Sequence, residues 1–290
     1  MADACTQGLD TGFIALGYGK VAALGIVQGI TELLPISSTA HMRIVPAVLG
    51  WPDPGSAFSA AMQLAALAAV LSYFWADVRG ILGGALSAVA HAKFGDWNLR
   101  FLVWIALATV PIGIAGLELA PVLNTCQSPL RDLRVIGVVC LVMAVLLAIA
   151  EVTARHTRSL VHVTLIDALL VGLAQVGALI PGVSRSGSTL TAALLLDMKR
   201  DEAARFSFLL GIPAIALAGF KEILELYKAH IDAHAWSILA VGLVVASVSA
   251  FAAIWGLLHY LHRFSTWIFV AYRALLGIVL LGGFAFGWLG

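Results

Sequence analysis

Six uninterrupted apolar runs constrain this chain more than any other feature of its sequence. They lie at 57–75, 100–119, 133–152, 205–222, 236–258 and 267–288. A helix needs about 20 apolar residues to cross a hydrocarbon core of about 30 Å. In lipid only helices and closed barrels satisfy every backbone hydrogen bond, and these runs lack the alternation of a barrel strand. We therefore predict an all-α polytopic membrane protein with six transmembrane helices.

The composition agrees with a membrane environment. Of the 290 residues, 61% are hydrophobic and 11% are charged, whereas an ordinary soluble domain has about 25% charged residues. The formal net charge of +1 says nothing about nucleic acid, and we expect no nucleic acid partner. The surroundings that we expect are membrane lipids.

Two further apolar stretches, 13–50 and 160–197, are interrupted at their centres by proline, serine and threonine. The interruptions read "LLPISSTAH" and "PGVSRSG". Irregular backbone within a membrane is tolerated only where protein or water covers it. We therefore expect two re-entrant helix pairs, in which one half-helix ends near Pro35 or Pro181 and a second begins at the serines that follow.

The two halves of the chain resemble each other. The matched positions are Gln28 with Gln175, Pro35 with Pro181, and Ser38 with Ser184. We predict repeat 1 at residues 1–152 and repeat 2 at 153–290, each with one re-entrant pair and three spans, within one membrane domain. Because three is an odd number of spans, the second copy enters the membrane upside down, and the repeat has inverted topology.

Basic residues near the span ends predict the orientation through the positive-inside rule. The larger group comprises Arg79, Lys93, Arg100, Arg155, Arg158, Lys199, Arg200, Arg205 and Arg263. The smaller group comprises Lys20, Arg43, Arg131, Arg134, Lys221 and Lys228. We expect the larger group in the cytoplasm and both termini on the non-cytoplasmic side.

The second interruption contains an arginine, Arg185, in the middle of an apolar stretch. A half-helix that starts at Ser38 or Ser184 points free N–H groups at the protein centre and attracts an anion. An arginine at the membrane midplane costs several kcal/mol, and its guanidinium matches phosphate oxygens. We predict a phosphate site. The alternative is that Arg185 pairs with Glu32 to lock the repeats together, and the two roles are compatible.

The first interruption adds residues that a phosphate carrier does not require. Ser38 and His41 are three residues apart, so they share one helix face, as a nucleophile and its general base would. Glu32 precedes the break and could orient the histidine or hold a divalent cation. The structural alternatives are a histidine that bonds a neighbouring helix and serines that cap the half-helices.

The motifs "GIVQGITELLPISSTAHM" and "PGVSRSGS" resemble the two signature motifs of the undecaprenyl-diphosphate phosphatases of the BacA type. The likeness extends over the whole chain in span order and spacing. It implies an inverted repeat with six spans and two re-entrant pairs in the bacterial inner membrane. It also implies hydrolysis of undecaprenyl diphosphate to undecaprenyl phosphate and inorganic phosphate, aided by Mg²⁺ or Ca²⁺. That reaction recycles the lipid carrier of cell-wall synthesis and is linked to bacitracin resistance.

The resemblance implies a set of site residues. The catalytic residues would be Glu32, Ser38, His41 and Arg185; the substrate-binding residues Gln28, Ser37, Thr39, Ser184, Ser186 and Gly187; and the cation ligands Glu32 and Gln28. One departure matters, because the family pattern is commonly Glu-x-x-x-Glu and the first member here is Gln28. A neutral amide can ligate a cation but cannot act as a base, so Glu32 is the only acid of the motif.

The mechanism that we expect is attack by Ser38 on the terminal phosphorus while His41 manages the protons. Water would then hydrolyse the phosphoserine. Attack by His41 or directly by water stays open.

A different class of function is also compatible with this pattern. Inverted repeats with broken helices are typical of transporters, so the chain could move a polyprenyl phosphate lipid instead of hydrolysing a polyprenyl diphosphate. The sequence also leaves a homodimer open. Asp167 and Arg273 lie within apolar stretches, and we expect both to be interfacial or snorkelling, with pairing between helices as the alternative.

Overall fold

The computed structural model describes residues 5–6, 9–123 and 129–287. Its α-helices are α1 (Gly17–Leu33), α2 (Ser38–Val48), α3 (Ser56–Ala61), α4 (Gln63–Tyr73), α5 (Trp75–Ala90), α6 (Trp97–Leu123), α7 (Leu133–Thr153), α8 (Leu165–Val176), α9 (Arg185–Leu195), α10 (Arg200–Lys228), α11 (Ala233–Leu261) and α12 (Trp267–Ala285). Short 3₁₀ helices precede α1, α7 and α8 and follow α8, and a two-stranded hairpin, Cys5–Thr6 with Leu9–Asp10, begins the described chain.

Six helical segments in the described residues are long and apolar enough to cross a membrane. Five of them are α6, α7, α10, α11 and α12, which coincide with five of the six predicted spans. The sixth is Gly12–Leu33, which includes α1. The class of polytopic helical membrane protein is therefore confirmed. The stretch predicted as the first re-entrant pair contains a helix of full spanning length before its break.

The predicted span at 57–75 has a different form in the structure. It is divided among α3, α4 and the start of α5, and the helix direction changes by 76° between Tyr73 and Trp75. Phe74, at the bend, is buried and its ring lies 6.1 Å from that of Phe208. Sharp bends usually occur at proline or glycine. Neither residue is present at 73–75, so the bend was not predictable from the local sequence.

Both predicted helix breaks are present. The first separates α1 from α2, and the second separates α8 from α9. Ser37 and Ser184 have φ values of 75° and 72°, and each caps the helix that follows. The structure therefore makes Ser184 the counterpart of Ser37, one residue away from the sequence match with Ser38. The position equivalent to Ser38 is Arg185, the first residue of α9.

Glycines let the helices before each break pack closely on a neighbour. A Cβ at Gly29 of α1 would lie 2.4 Å from the carbonyl oxygen of Ala246 in α11. A Cβ at Gly172 of α8 would lie 2.2 Å from the carbonyl oxygen of Ala108 in α6. Small residues allow such backbone approach between membrane helices. The two broken segments are thus fixed against long helices.

Asp167 lies in the first turn of α8 and forms a capping box with Thr164. Arg158, in the preceding loop, donates to its two carboxylate oxygens at 3.1 and 2.5 Å. The partner of Asp167 is therefore a residue of the preceding loop, and Asp167 stabilises the start of α8.

Candidate active site

The two interrupted motifs meet in the structure. Glu32 lies in the last turn of α1 and Arg185 begins α9. The Nη2 of Arg185 lies 3.2 Å from the Oε1 of Glu32, and these side chains are 9% and 4% exposed. The ion pair that was the alternative for Arg185 is therefore present, and it joins the two halves of the chain.

Glu32 is the centre of a hydrogen-bond network. Its Oε2 accepts from the Nε2 of Gln28 at 2.8 Å and from the Oγ of Ser38 at 2.5 Å. Gln28 can reach it because it lies one helical turn earlier on the same face. A carboxylate in hydrogen-bond reach of a hydroxyl proton is placed to act as its general base.

His41 forms its hydrogen bonds away from Ser38. Its Nδ1 lies 2.7 Å from the carbonyl oxygen of Ser37, and its Nε2 lies 2.6 Å from the hydroxyl of Tyr272. The rings of His41 and Tyr272 stack at 5.7 Å with an interplanar angle of 15°. The expected pairing of Ser38 with His41 is replaced by pairing of Ser38 with Glu32, and neither nitrogen of His41 bonds to Glu32.

Arg185 retains donors that no described residue uses. Its Nε and Nη1 are buried and have no hydrogen-bond partner in the described part of the chain. A buried donor without an acceptor costs about 1–3 kcal/mol, and more when it is charged. Phosphate oxygens are acceptors of the kind that both groups lack here, and the third guanidinium nitrogen is already paired with Glu32.

Several of the remaining predicted residues hold the backbone of the breaks. The Oγ of Ser184 accepts from the N–H of Gly187 at 3.1 Å, and the Oγ of Ser37 accepts from the N–H of Ala40 at 3.4 Å. The cap interpretation is therefore right for both serines. Thr39 shares a 3.1 Å hydrogen bond with the hydroxyl of Ser37.

Ser186 connects the second break to the first. Its hydroxyl lies within hydrogen-bond distance of two backbone carbonyl oxygens, those of Glu32 at 3.2 Å and Leu34 at 3.1 Å. It also lies 3.1 Å from the hydroxyl of Ser184. These contacts orient the end of α1, and with it the Glu32 side chain.

The sequence interpretation missed two residues of α12. Arg273 is 1% exposed and donates to the carbonyl oxygens of Pro35 at 2.9 Å, Gly182 at 2.6 Å and Val183 at 3.1 Å. The expectation of a snorkelling or interfacial Arg273 is therefore wrong, because the side chain fastens both breaks from the interior. The rule that selected Arg185, an arginine within an apolar run, would have found it. No comparable signal marks Tyr272.

Comparison with known proteins identifies the family of this chain. The family model described as bacitracin resistance protein BacA matches residues 21–279. Undecaprenyl-diphosphatase 2 of Mesorhizobium japonicum is 70% identical over 263 residues, covering 91% of this chain and 100% of that protein. The undecaprenyl-diphosphatase of Synechococcus elongatus is 49% identical, covering 94% of this chain and 96% of that protein. That of Trichormus variabilis is 48% identical, covering 92% and 84%. The chain belongs to the bacitracin resistance protein BacA family.

Proposed function

We propose that this chain is a membrane phosphatase that hydrolyses undecaprenyl diphosphate to undecaprenyl phosphate and inorganic phosphate. Its similar relatives are named undecaprenyl-diphosphatases. The observation that carries the proposal is one carboxylate, Glu32, that accepts from the Ser38 hydroxyl and pairs with Arg185, whose Nε and Nη1 are buried with no partner in the described residues. Transport alone would need the arginine but not the activated serine, so hydrolysis is the better supported function. Such a phosphatase would recycle the lipid carrier of cell-wall synthesis.

The first step that we propose is attack by the Oγ of Ser38 on the terminal phosphorus. A bond forms between Oγ and phosphorus, and the bond from phosphorus to the bridging oxygen breaks, so that undecaprenyl phosphate leaves. Glu32 takes the hydroxyl proton, because the Ser38 hydroxyl donates to it at 2.5 Å. This assignment replaces His41 as the base. Both ring nitrogens of His41 already have partners, which also argues against His41 as the nucleophile.

The second step is attack by water on the phosphoserine. Glu32, which lost its proton to the medium or the leaving group, accepts a proton from that water. The bond between phosphorus and Oγ breaks, Glu32 passes the proton that it took from the water to Oγ, and inorganic phosphate leaves while Ser38 recovers its hydroxyl. Arg185 binds the phosphate oxygens in both steps, and most catalysis of phosphoryl transfer comes from such positioning and charge neutralisation.

A divalent cation fits the residues around Glu32. The Oε1 of Gln28 is buried without a hydrogen-bond partner in the described residues, and a neutral oxygen of this kind can ligate Mg²⁺ or Ca²⁺. No group of three or more His, Cys, Asp or Glu side chains suited to a metal occurs in the described chain. Mg²⁺ is often held by one or two protein oxygens together with substrate phosphates. Glu32 and Gln28 would hold the cation, which would neutralise charge on the diphosphate.

We also propose the finer topology. Repeat 1 (1–152) and repeat 2 (153–290) would be inverted copies, with re-entrant pairs at 13–50 and 160–197 and both termini on the non-cytoplasmic side of the bacterial inner membrane. The equivalent breaks, each with a left-handed serine cap, support the repeat.

The direct test is release of inorganic phosphate from undecaprenyl diphosphate by the purified chain in detergent, where no gradient across a membrane exists. We expect turnover by the wild type and a loss of about 10³-fold or more in Arg185→Ala, the range seen when an arginine on a transferring phosphate is removed. Arg134→Ala is the matched control, because that side chain is 66% exposed and pairs with Asp132. A wild type that binds the lipid but releases no phosphate would favour transport.

A further inference from the structure

We propose that Tyr272 is a positioning residue that holds His41 in one tautomer and one orientation. The proposal rests on the phosphatase function given above. The Tyr272 hydroxyl lies 2.6 Å from the Nε2 of His41. The stacked rings, 5.7 Å apart and 15° from parallel, keep the hydroxyl aligned with this nitrogen. Neither motif of the sequence contains Tyr272.

The tautomer follows from the partner on the other ring nitrogen. The Nδ1 of His41 lies 2.7 Å from the carbonyl oxygen of Ser37, and a carbonyl oxygen only accepts hydrogen bonds. The neutral ring therefore carries its hydrogen on Nδ1, and its Nε2 accepts a hydrogen bond from the Tyr272 hydroxyl. The result is a directed chain from Tyr272 through His41 to Ser37.

This series of hydrogen bonds ends on the turn that presents the proposed nucleophile. Ser37 has a φ of 75°, an unfavourable region for a residue with a side chain, and the next residue is Ser38. The carbonyl oxygen of Ser37 also accepts from the backbone N–H of His41 at 3.2 Å. By fixing the ring, Tyr272 fixes the second donor to the same carbonyl and so stabilises the strained turn.

The neighbouring residue of α12 acts on the same turn from another direction. Arg273 donates to the carbonyl oxygen of Pro35, and successive helix residues point about 100° apart. Two consecutive side chains of α12 therefore reach different atoms of the first break. The hydrogen bond of Tyr272 reaches it through His41.

A packing role would not require the hydroxyl. Tyr272 is 40% exposed, and a phenylalanine would keep the stacked ring. Tyr272→Phe therefore isolates the hydrogen bond to His41. Because a hydrogen bond contributes about 0.5–1.5 kcal/mol and 1.4 kcal/mol corresponds to tenfold, we expect kcat to fall about 3- to 10-fold with little change in KM.

The matched control is Tyr260→Phe. Tyr260 in α11 also stacks on an aromatic ring, that of Phe264 at 5.1 Å, and its hydroxyl has no hydrogen bond in the described residues. We expect wild-type kcat and thermal stability for this control. The double variant His41→Ala/Tyr272→Phe should be no slower than His41→Ala alone, because Tyr272 acts through His41. Wild-type kcat in Tyr272→Phe, or an equal loss in both backgrounds, would overturn the proposal.

A spectroscopic readout separates this inference from the phosphatase proposal. In protein with ¹⁵N-labelled histidine, the signals of His41 can be assigned as those absent from His41→Gln. We expect a neutral ring with its hydrogen on Nδ1 in the wild type and a mixture of tautomers in Tyr272→Phe. A wild-type ring protonated on Nε2 alone would contradict the tautomer assignment. Absence of phosphate release by the wild type would remove the proposed function and leave this measurement intact.

Discussion

The two helix breaks have nearly the same backbone but carry different chemistry. Each begins its second helix from a serine cap with positive φ, Ser37 in one and Ser184 in the other. At the next position the first break has a hydroxyl, Ser38, and the second has a guanidinium, Arg185. The same backbone turn thus presents our proposed nucleophile in one half and our proposed phosphate-binding cation in the other.

The helices that precede the breaks differ in the same way. Four residues after Gln28 the first half has Glu32, whereas four residues after Gln175 the second half has Leu179. Gln28 donates to Glu32, while neither amide atom of Gln175 has a hydrogen-bond partner in the described chain. The first half therefore carries the acid and the serine that we propose as nucleophile, and the second carries the positive charge. Neither break alone has the groups for phosphoryl transfer.

After Arg185→Ala, the largest expected effect comes from removing the acid of the first half. Glu32→Gln keeps the shape of the side chain but cannot accept the Ser38 proton, so phosphate release should fall by about 10²- to 10⁴-fold, the range for a lost general base. Glu225→Gln is the control, because Glu225 forms an exposed ion pair with Lys228. Full activity in Glu32→Gln would mean that the first half does not supply the base.

The next effect tests the residue shared by both breaks. Arg273→Ala removes donors to three carbonyl oxygens, and we expect it to cost about 2–4 kcal/mol of stability and most of the activity. The stability and activity of Arg273→Lys should lie between those of the wild type and Arg273→Ala, because an ammonium cannot reproduce the planar fork of the guanidinium. Thermal denaturation in detergent together with phosphate release measures both. If Arg273→Ala matched the exposed-loop control Arg263→Ala in thermal stability and in phosphate release, the two breaks would not depend on Arg273.

The smallest expected effect concerns Gln28. Gln28→Glu should remain active and lower the half-saturating concentration of Mg²⁺ or Ca²⁺ a few-fold, because it adds an anionic oxygen beside Glu32. A cation titration of phosphate release for the wild type and this variant measures the shift. An unchanged half-saturating concentration would contradict the cation role of Gln28 and Glu32.

The sequence predicted the breaks and the residues of the two motifs because these depend on local chemistry. Proline disfavours the helix interior and serine is a favoured N-cap residue, and an arginine in an apolar run is conspicuous. The partner of His41 was not predictable, since Tyr272 lies 231 positions further along the chain. The same holds for the contact of Arg273 with Pro35. Such contacts depend on how α12 packs, which the sequence pattern of one helix does not specify.

The local pattern was also misleading in one place. Spacing on a helix put Ser38 and His41 on one face and favoured them as a pair. In the structure the Ser38 hydroxyl donates to Glu32, at the end of the preceding helix, because the chain turns back between α1 and α2. Helix periodicity describes neighbours within one helix, whereas this contact crosses a break.

The central claim is that the first half supplies the nucleophile, and trapping the covalent intermediate tests it most directly. The chain would be mixed with undecaprenyl diphosphate labelled in its terminal phosphate and quenched within the first turnover. Parallel acid and alkaline quenches would preserve phosphoserine and phosphohistidine respectively, and peptide mass spectrometry would locate the label. We expect the label on Ser38, and none in Ser38→Ala. A label on His41 or Ser184, or a burst of undecaprenyl phosphate without any labelled residue, would contradict the account.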